Sequence, residues 1–234
     1  MRAEKGRDWT VYLGDCLEIL PTLEDDSVSA IITDPPYGID YQSAWRIDKT
    51  TWKPKLAGDD KPCIEWIPLS VHTLTDISCC LCFCRWDVEQ VFRDALSINR
   101  LIVRSQVIWD RMVHGMGNLE GAFAPQHDNI IFATKGHFAF PGKRPYSVIR
   151  VARIAAESLV HPTEKPVPLL SYLIRHVTKI DDIVLDPFMG SGSTGCACLL
   201  ADRRFIGIEV NEDYFHVAVK RLQEAEMQLR LPGV

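Results

Sequence analysis

One stretch limits what this chain can fold into more than any other: Ile183-Val184-Leu185-Asp186-Pro187-Phe188-Met189-Gly190-Ser191-Gly192-Ser193-Thr194-Gly195. A short run of branched apolar residues ends in a carboxylate, a glycine turn follows, and an apolar helix is expected to begin behind it. Glycine lets the backbone approach a ligand closely, and a helix N-terminus favours an anionic group. A strand feeding a helix through such a turn is the building unit of an α/β sheet.

The unit recurs along the chain. Val28 to Thr33, Ser78 to Phe83, Val107 to Trp109, Asn129 to Ala133, Ile183 to Leu185 and Phe205 to Ile208 are short apolar runs that suit strands buried on both faces. Pro166 to Lys179 carries Val167, Leu170, Leu173, Ile174 and Val177 at helical spacing after prolines that fit a first turn. Asn211 is an expected N-cap, with Glu212 and Asp213 behind it and Phe215, Ala218, Val219 and Leu222 on one face. The expectation is a mostly parallel, doubly wound α/β sheet in one domain spanning 1–234, with ligands outside the carboxyl ends of its strands.

Composition agrees with such a core. Of 234 residues 47% are apolar and 24% charged, which excludes disorder, collagen and a disulfide scaffold. No apolar run approaches the roughly 18 residues of a membrane helix, and Met1 to Asp8 alternates charges, so a cytoplasmic protein without membrane contact is expected. The formal charge, 26 − 31 = −5, argues against a surface coated in phosphate-binding cations but leaves room for a local basic patch. Four of the eight cysteines sit in Ile77-Ser78-Cys79-Cys80-Leu81-Cys82-Phe83-Cys84. Cys79 and Cys82 form a C-x-x-C without a second ligand pair of matching spacing, so buried reduced thiols are expected and no metal.

Glu209 ends the run after the glycine turn, where an acid can accept both hydroxyls of a ribose, and that combination fits an adenosine-containing cofactor. Gly190, Gly192 and Gly195 also satisfy G-x-G-x-x-G, with Glu209 19 residues after Gly190, so a nicotinamide dinucleotide and an oxidoreductase are an open alternative. Asp186 tips the balance. A carboxylate inside the turn repels a pyrophosphate but suits a ribose or a cationic amino group, as in S-adenosylmethionine.

A second turn, Asp34-Pro35-Pro36-Tyr37-Gly38, ends the run Val28 to Thr33. Each proline fixes its own φ and restricts the residue before it, so this turn is stiff. A rigid Asp34 carboxylate and Pro35 carbonyl could hold the two N–H bonds of a base's exocyclic amine and aim its lone pair at an activated methyl. Tyr37 offers an aromatic face to a base swung out of its stack. Read alone, the turn leaves open the alternative of an ordinary proline-rich loop closing a strand, with Tyr37 as packing.

With both turns in view, the chain resembles the DNA amino-methyltransferase family, which methylates adenine N6 or cytosine N4 using S-adenosylmethionine. The Asp-Pro-Pro-Tyr turn comes before the Asp-Pro-Phe-Met-Gly-Ser-Gly loop, as in the permuted order called the β group. The resemblance runs from Gly14-Asp15-Cys16 to Phe205-Ile206-Gly207-Ile208-Glu209. It implies a Rossmann-like class I methyltransferase fold, with Asp34, Pro35, Pro36 and Tyr37 catalytic. It also implies a cofactor site of Asp15, Cys16, Asp186, Pro187, Phe188, Gly190, Gly192, Ser193, Thr194 and Glu209. His161-Pro162-Thr163-Glu164-Lys165-Pro166 is similar to the family segment that closes over the cofactor's methionine part, which makes Thr163 and Lys165 candidates for its carboxylate. The family more often has Gln at 164, Thr at 193 and Glu at 128, where this chain has Glu164, Ser193 and Asp128. Aspartate at the head of the turn is similar to adenine-methylating members, serine being commoner in cytosine ones. A homodimer is a further expectation from the β group.

Double-stranded DNA would then be the partner. Residues 135–156 contain Lys135, Lys143, Arg144, Arg150 and Arg153 without an acid, interleaved with Phe138, Phe140 and Tyr146. Of these, Lys143, Arg144, Arg150 and Arg153 are the candidate phosphate contacts. The segment 38–61, with Tyr41, Trp45, Arg46, Trp52, Lys53 and Lys55, is the second candidate. A DNA-binding protein with a vestigial site is a rival that the complete turns argue against.

Overall fold

A computed structural model describes residues 2–38, 61–115, 120–154 and 164–229. Among these residues nine strands form one sheet: β1 (Arg2–Lys5), β2 (Trp9–Leu13), β3 (Val28–Thr33), β4 (Leu74–Cys84), β5 (Ile102–Asp110), β6 (His127–Lys135), β7 (Val148–Arg150), β8 (Ile183–Asp186) and β9 (Arg204–Glu209). Their order is β1-β2-β9-β8-β3-β4-β6-β5-β7. The pairs β2–β9, β9–β8, β8–β3, β3–β4 and β5–β7 are parallel, whereas β1–β2, β4–β6 and β6–β5 are antiparallel.

Among the described residues six α-helices cover the sheet: α1 (Cys16–Ile19), α2 (Trp66–Ser70), α3 (Glu89–Ile98), α4 (Val167–Val177), α5 (Ser193–Leu199) and α6 (Glu212–Leu229). Strand residues alternate faces, so the sheet divides the interior into two cores. On one face Ala30, Ile32, Leu81, Phe83, Ile130 and Phe205 pack with Leu170, Leu173, Phe215 and Leu222 of α4 and α6. On the other, Ile31, Cys80, Cys82, Ile131 and Leu185 pack with Ile19, Trp66, Phe92 and Leu96. A register shift between Val28 and Ala30 puts Val28 in the second core and Ala30 in the first.

The cysteine strand follows the same alternation. Cys79 lies in one core and Cys82 in the other, because three residues along a strand end on opposite faces. The C-x-x-C pair thus does not converge as a chelate. Burial pushes the thiols of Cys80 and Cys84 up to about 12, the range of inert buried thiols.

Several elements exceed what the apolar runs mark out. The charge alternation of Arg2–Lys5 is an edge strand paired with β2, and β4, β5 and β6 extend several residues past their apolar centres. Pro166 is the N-cap of α4, one residue outside it, and the Asn211 side chain accepts from the Tyr214 N–H at 3.1 Å as an N-cap does. No helix among the described residues is long and apolar enough to cross a membrane.

Candidate active site

The functional residues gather at the carboxyl ends of the parallel strands. Asp34 follows β3, Asp186 ends β8 and Glu209 ends β9, and β8 lies between the other two. Sheet order therefore brings together two turns that are far apart in sequence. Thr33 and Asp186, 153 residues apart in the chain, are hydrogen-bonded at 2.8 Å.

Asp186 is 4% exposed. The Thr33 hydroxyl and the Phe188 N–H (3.1 Å) donate to one oxygen, and the Thr194 hydroxyl donates to the other at 2.7 Å. Burial pushes the carboxyl up to about 6 even though those donors favour its charged form. Its oxygens are turned into the protein, so Asp186 fastens the glycine turn to β3 and α5 instead of presenting the open carboxylate expected for a cofactor cation. Pro187 beside it is buried, and Phe188 meets Trp66 edge to face, with ring centres 6.3 Å apart.

The glycine turn is shaped by its neighbours. Gly190 and Gly192 have φ of 53° and 81°, in the left-handed region, and a Cβ on Gly192 would come within 2.9 Å of the Ala218 Cβ on α6. Glu209 accepts from the Gly190 N–H at 2.9 Å and from the Asn211 N–H at 2.8 Å, and burial raises its pKa. The Gly14 N–H donates to the Glu209 carbonyl at 2.9 Å, which places Asp15 and Cys16 alongside. Asp15 caps α1 through the Leu17 N–H at 2.9 Å, and burial raises the Cys16 thiol.

A buried ion pair that the sequence reading missed braces the far side of the turn. Glu164, whose side chain is 4% exposed, accepts from the Arg221 guanidinium at 2.7 Å and from the Ser193 hydroxyl at 3.1 Å. Arg221 also donates to the carbonyl and hydroxyl of Ser191, at 3.0 and 2.8 Å. Glu164 and Ser193 are two of the three departures from the family pattern, and they are bonded to each other. An unusual acid at 164 facing an arginine on α6 is the signal that could have located the pair.

In the Asp-Pro-Pro-Tyr turn, Asp34 accepts from the Tyr37 hydroxyl on one oxygen and from the Lys165 ammonium on the other. Burial and the Asp34 carboxylate raise the Tyr37 hydroxyl above its ordinary range, so it remains a donor. Lys165 lies 5.0 Å over the Phe83 ring. The structure thus sets Lys165 on Asp34, whereas the sequence reading gave it to a cofactor carboxylate. The Pro36 carbonyl accepts from the Cys63 N–H at 3.0 Å. Gly38, at φ 78°, passes so close to the Lys61 backbone that a Cβ would lie 2.4 Å from it.

The basic segment does not form one face. Lys135 is at the opposite edge of the sheet, its ammonium 2.5 Å from the Leu74 carbonyl. Phe138 and Phe140 pack on Phe132, with ring centres 5.6 and 5.5 Å away, so they belong to the core margin and not to a base-stacking surface. Lys143 and Arg144 are exposed, and Arg150 on β7 pairs with Asp110 at 3.3 Å at the carboxyl edge, where Arg153 follows. Thr163, residues 39–60 of the second candidate segment, and 155–156 lie outside the described residues. No cluster of metal-ligating side chains occurs among the described residues.

The arrangement fits S-adenosylmethionine in its donor set: a half-buried acid at the end of β9 beside the glycine turn at the head of α5. It fits a dinucleotide less well, because the Gly190 N–H already donates to a carboxylate.

A family model described as DNA methylase matches residues 147–220. The type II methyltransferase M2.MboI of Moraxella bovis is 26% identical over 248 residues, covering 93% of this chain and 89% of that protein. The crystal structure of the M1.HpyAVI–SAM complex superposes with a TM-score of 0.70 at 28% identity, over 92% of this chain and 100% of that one. The PvuII DNA methyltransferase (cytosine-N4-specific) superposes with a TM-score of 0.72 at 14% identity, over 94% and 91%, and shares the fold.

Proposed function

We propose that this chain, which belongs to the DNA amino-methyltransferase family, transfers a methyl group from S-adenosylmethionine to the exocyclic amine of an extruded adenine in DNA. The observation that carries the reading is the Asp34 carboxylate, held on a proline-stiffened turn and tied through Thr33 and Asp186 to a glycine turn braced by Glu209.

In this reading Glu209 holds the ribose of the cofactor, with Asp15, Cys16 and the backbone around Phe188, Gly190, Gly192, Ser193 and Thr194 lining the rest of its site. Bound there, the cofactor supplies a methyl group on a sulfonium that departs as a neutral thioether. Asp34 and the Pro35 carbonyl accept the two N–H bonds of the amine, which frees its lone pair from the ring and aims it. As the amine gains positive charge, the Asp34 carboxylate stabilises that charge and accepts a proton. Tyr37 hydrogen-bonds Asp34 and offers its ring to the base. Little conformational freedom remains to be lost at this turn, so much of the rate enhancement is orientation.

Removing the Glu209 carboxylate leaves ribose hydroxyls unpaired and frees the Gly190 N–H. Glu209→Ala is expected to weaken S-adenosylhomocysteine binding by about 1–3 kcal/mol, read by calorimetry. Unchanged affinity would move the ribose elsewhere. Neutralising Arg144, Arg150 and Arg153 together is expected to weaken DNA binding and flatten its log–log salt dependence by about 0.9 per lost phosphate contact. An unchanged slope would shift the contact to 38–61.

Adenine is preferred over cytosine because the turn begins with aspartate, and because a purine gains somewhat more from stacking on Tyr37. Digestion of modified DNA to nucleosides, separated by mass, tests the choice. N6-methyladenine is the expected product, and N4-methylcytosine as sole product would reverse the base assignment.

A further inference from the structure

The pairing of Lys165 with Asp34 gives this lysine a part in the chemistry itself. In the methyltransferase reading, on which the following rests, each Asp34 oxygen is an acceptor the incoming amine could use. One oxygen holds the Tyr37 hydroxyl and the other the Lys165 ammonium, and the two charged side chains are only 19% and 13% exposed. An ammonium presents N–H donors much as an exocyclic amine does, so the lysine takes the substrate's place on Asp34. With the ammonium on that oxygen, the amine would meet a carboxylate whose charge is already neutralised. A cation left there would also oppose the positive charge that builds on the amine nitrogen as it takes the methyl group.

The lysine therefore has to leave, and its backbone is poorly placed to do so. Glu164 before it is tied to Ser193 and Arg221, and Pro166 after it caps α4. The flexible four-carbon stem can move without the backbone. Its root is one residue from Glu164, whose side chain is bonded to Ser193 of the glycine turn, and the motion considered runs from Asp34 toward that turn. Phe83, beneath the ammonium, offers a ring face at the start of that path. Separating a mostly desolvated ion pair is costly unless a second anion replaces the first.

We propose that Lys165 is a two-position residue. It sits on Asp34 as in the structure and transfers to the carboxylate of the cofactor's methionine part when cofactor binds, which uncovers Asp34 for the base. Cofactor binding thereby prepares the amine site, and base before cofactor is the disfavoured order. Lys165 is a positioning residue in this account, since it acts on the amine through Asp34.

The test uses protein labelled with ¹⁵N and ¹³C at the lysine side-chain ends, with the Lys165 signal assigned from Lys165→Met. S-adenosylhomocysteine is titrated by NMR and, in parallel, by calorimetry; being uncharged at sulfur, it removes the direct attraction between Asp34 and a sulfonium. The Lys165 signal is expected to move on binding. Asp34→Asn is expected to bind about five- to tenfold tighter than the parent, because no ion pair has to open. That gain should vanish when Asp34→Asn is made in the Lys165→Met background. Binding with an unmoved Lys165 signal and equal affinity in parent and Asp34→Asn overturns the proposal and leaves the methyltransferase reading standing. Absence of binding to folded parent protein overturns the cofactor reading and the proposal with it.

Discussion

Asp34→Ala is expected to lower methyl transfer by roughly 10²–10⁴-fold while S-adenosylhomocysteine still binds. The carboxylate is proposed to act on the amine as charge develops, so its loss raises the barrier without removing a cofactor contact. The variant also frees the Lys165 ammonium, so product affinity should rise and not fall. The fold should persist, since the Thr33–Asp186–Thr194 bonds that join the two turns do not involve Asp34, but with some loss of stability because the mostly desolvated Lys165 ammonium loses its counter-charge. Single-turnover methyl transfer, measured beside calorimetry on the same preparation, separates the two effects. Turnover near that of the parent would remove Asp34 from the mechanism.

The second large effect is on stability. Arg221→Met takes from the Glu164 carboxylate, 4% exposed, the guanidinium it accepts from at 2.7 Å, and breaking one side of such a largely buried pair costs up to about 3–5 kcal/mol. The Arg221 bonds to Ser191 are lost as well, so the glycine turn loosens at the same time. Adding Glu164→Gln should recover much of the loss, because the amide oxygen still accepts from Ser193 and carries no charge. Urea denaturation of the two variants beside the parent measures this. Equal stability of Arg221→Met and parent would show the pair to be a surface contact in effect, and absence of rescue by Glu164→Gln would place the cost in the Ser191 bonds.

What could be read from the sequence was what local chemistry determines. The strand, acid and glycine turn at 183–195 fixes its own geometry, and the prolines at 35 and 36 do the same for theirs, so both turns and the strands before them are legible. The edge strand Arg2–Lys5 is not, because nothing in its charge alternation distinguishes a paired edge from a solvated tail until β2 lies beside it. Pairings between distant residues were the least accessible. Lys165 against Asp34, and Glu164 against Arg221, depend on how α4 and α6 close over the sheet. The basic stretch from Lys135 is divided between the two edges of the sheet for a related reason: β6 runs antiparallel to β4, so Lys135 is carried to the amino edge while Arg150 returns to the carboxyl edge. Asp186 shows the reverse case. Its position was legible, but the hydroxyls of Thr33 and Thr194 that turn it inward were not.

The most direct test of the central claim is transfer of labelled methyl from S-adenosylmethionine to unmethylated duplex DNA by the purified protein, with Asp34→Ala as control. The account predicts label in the DNA, on a base amine, from the parent protein and little or none from the variant. Absence of transfer by a protein that binds NAD tightly and does not respond to S-adenosylmethionine would contradict it.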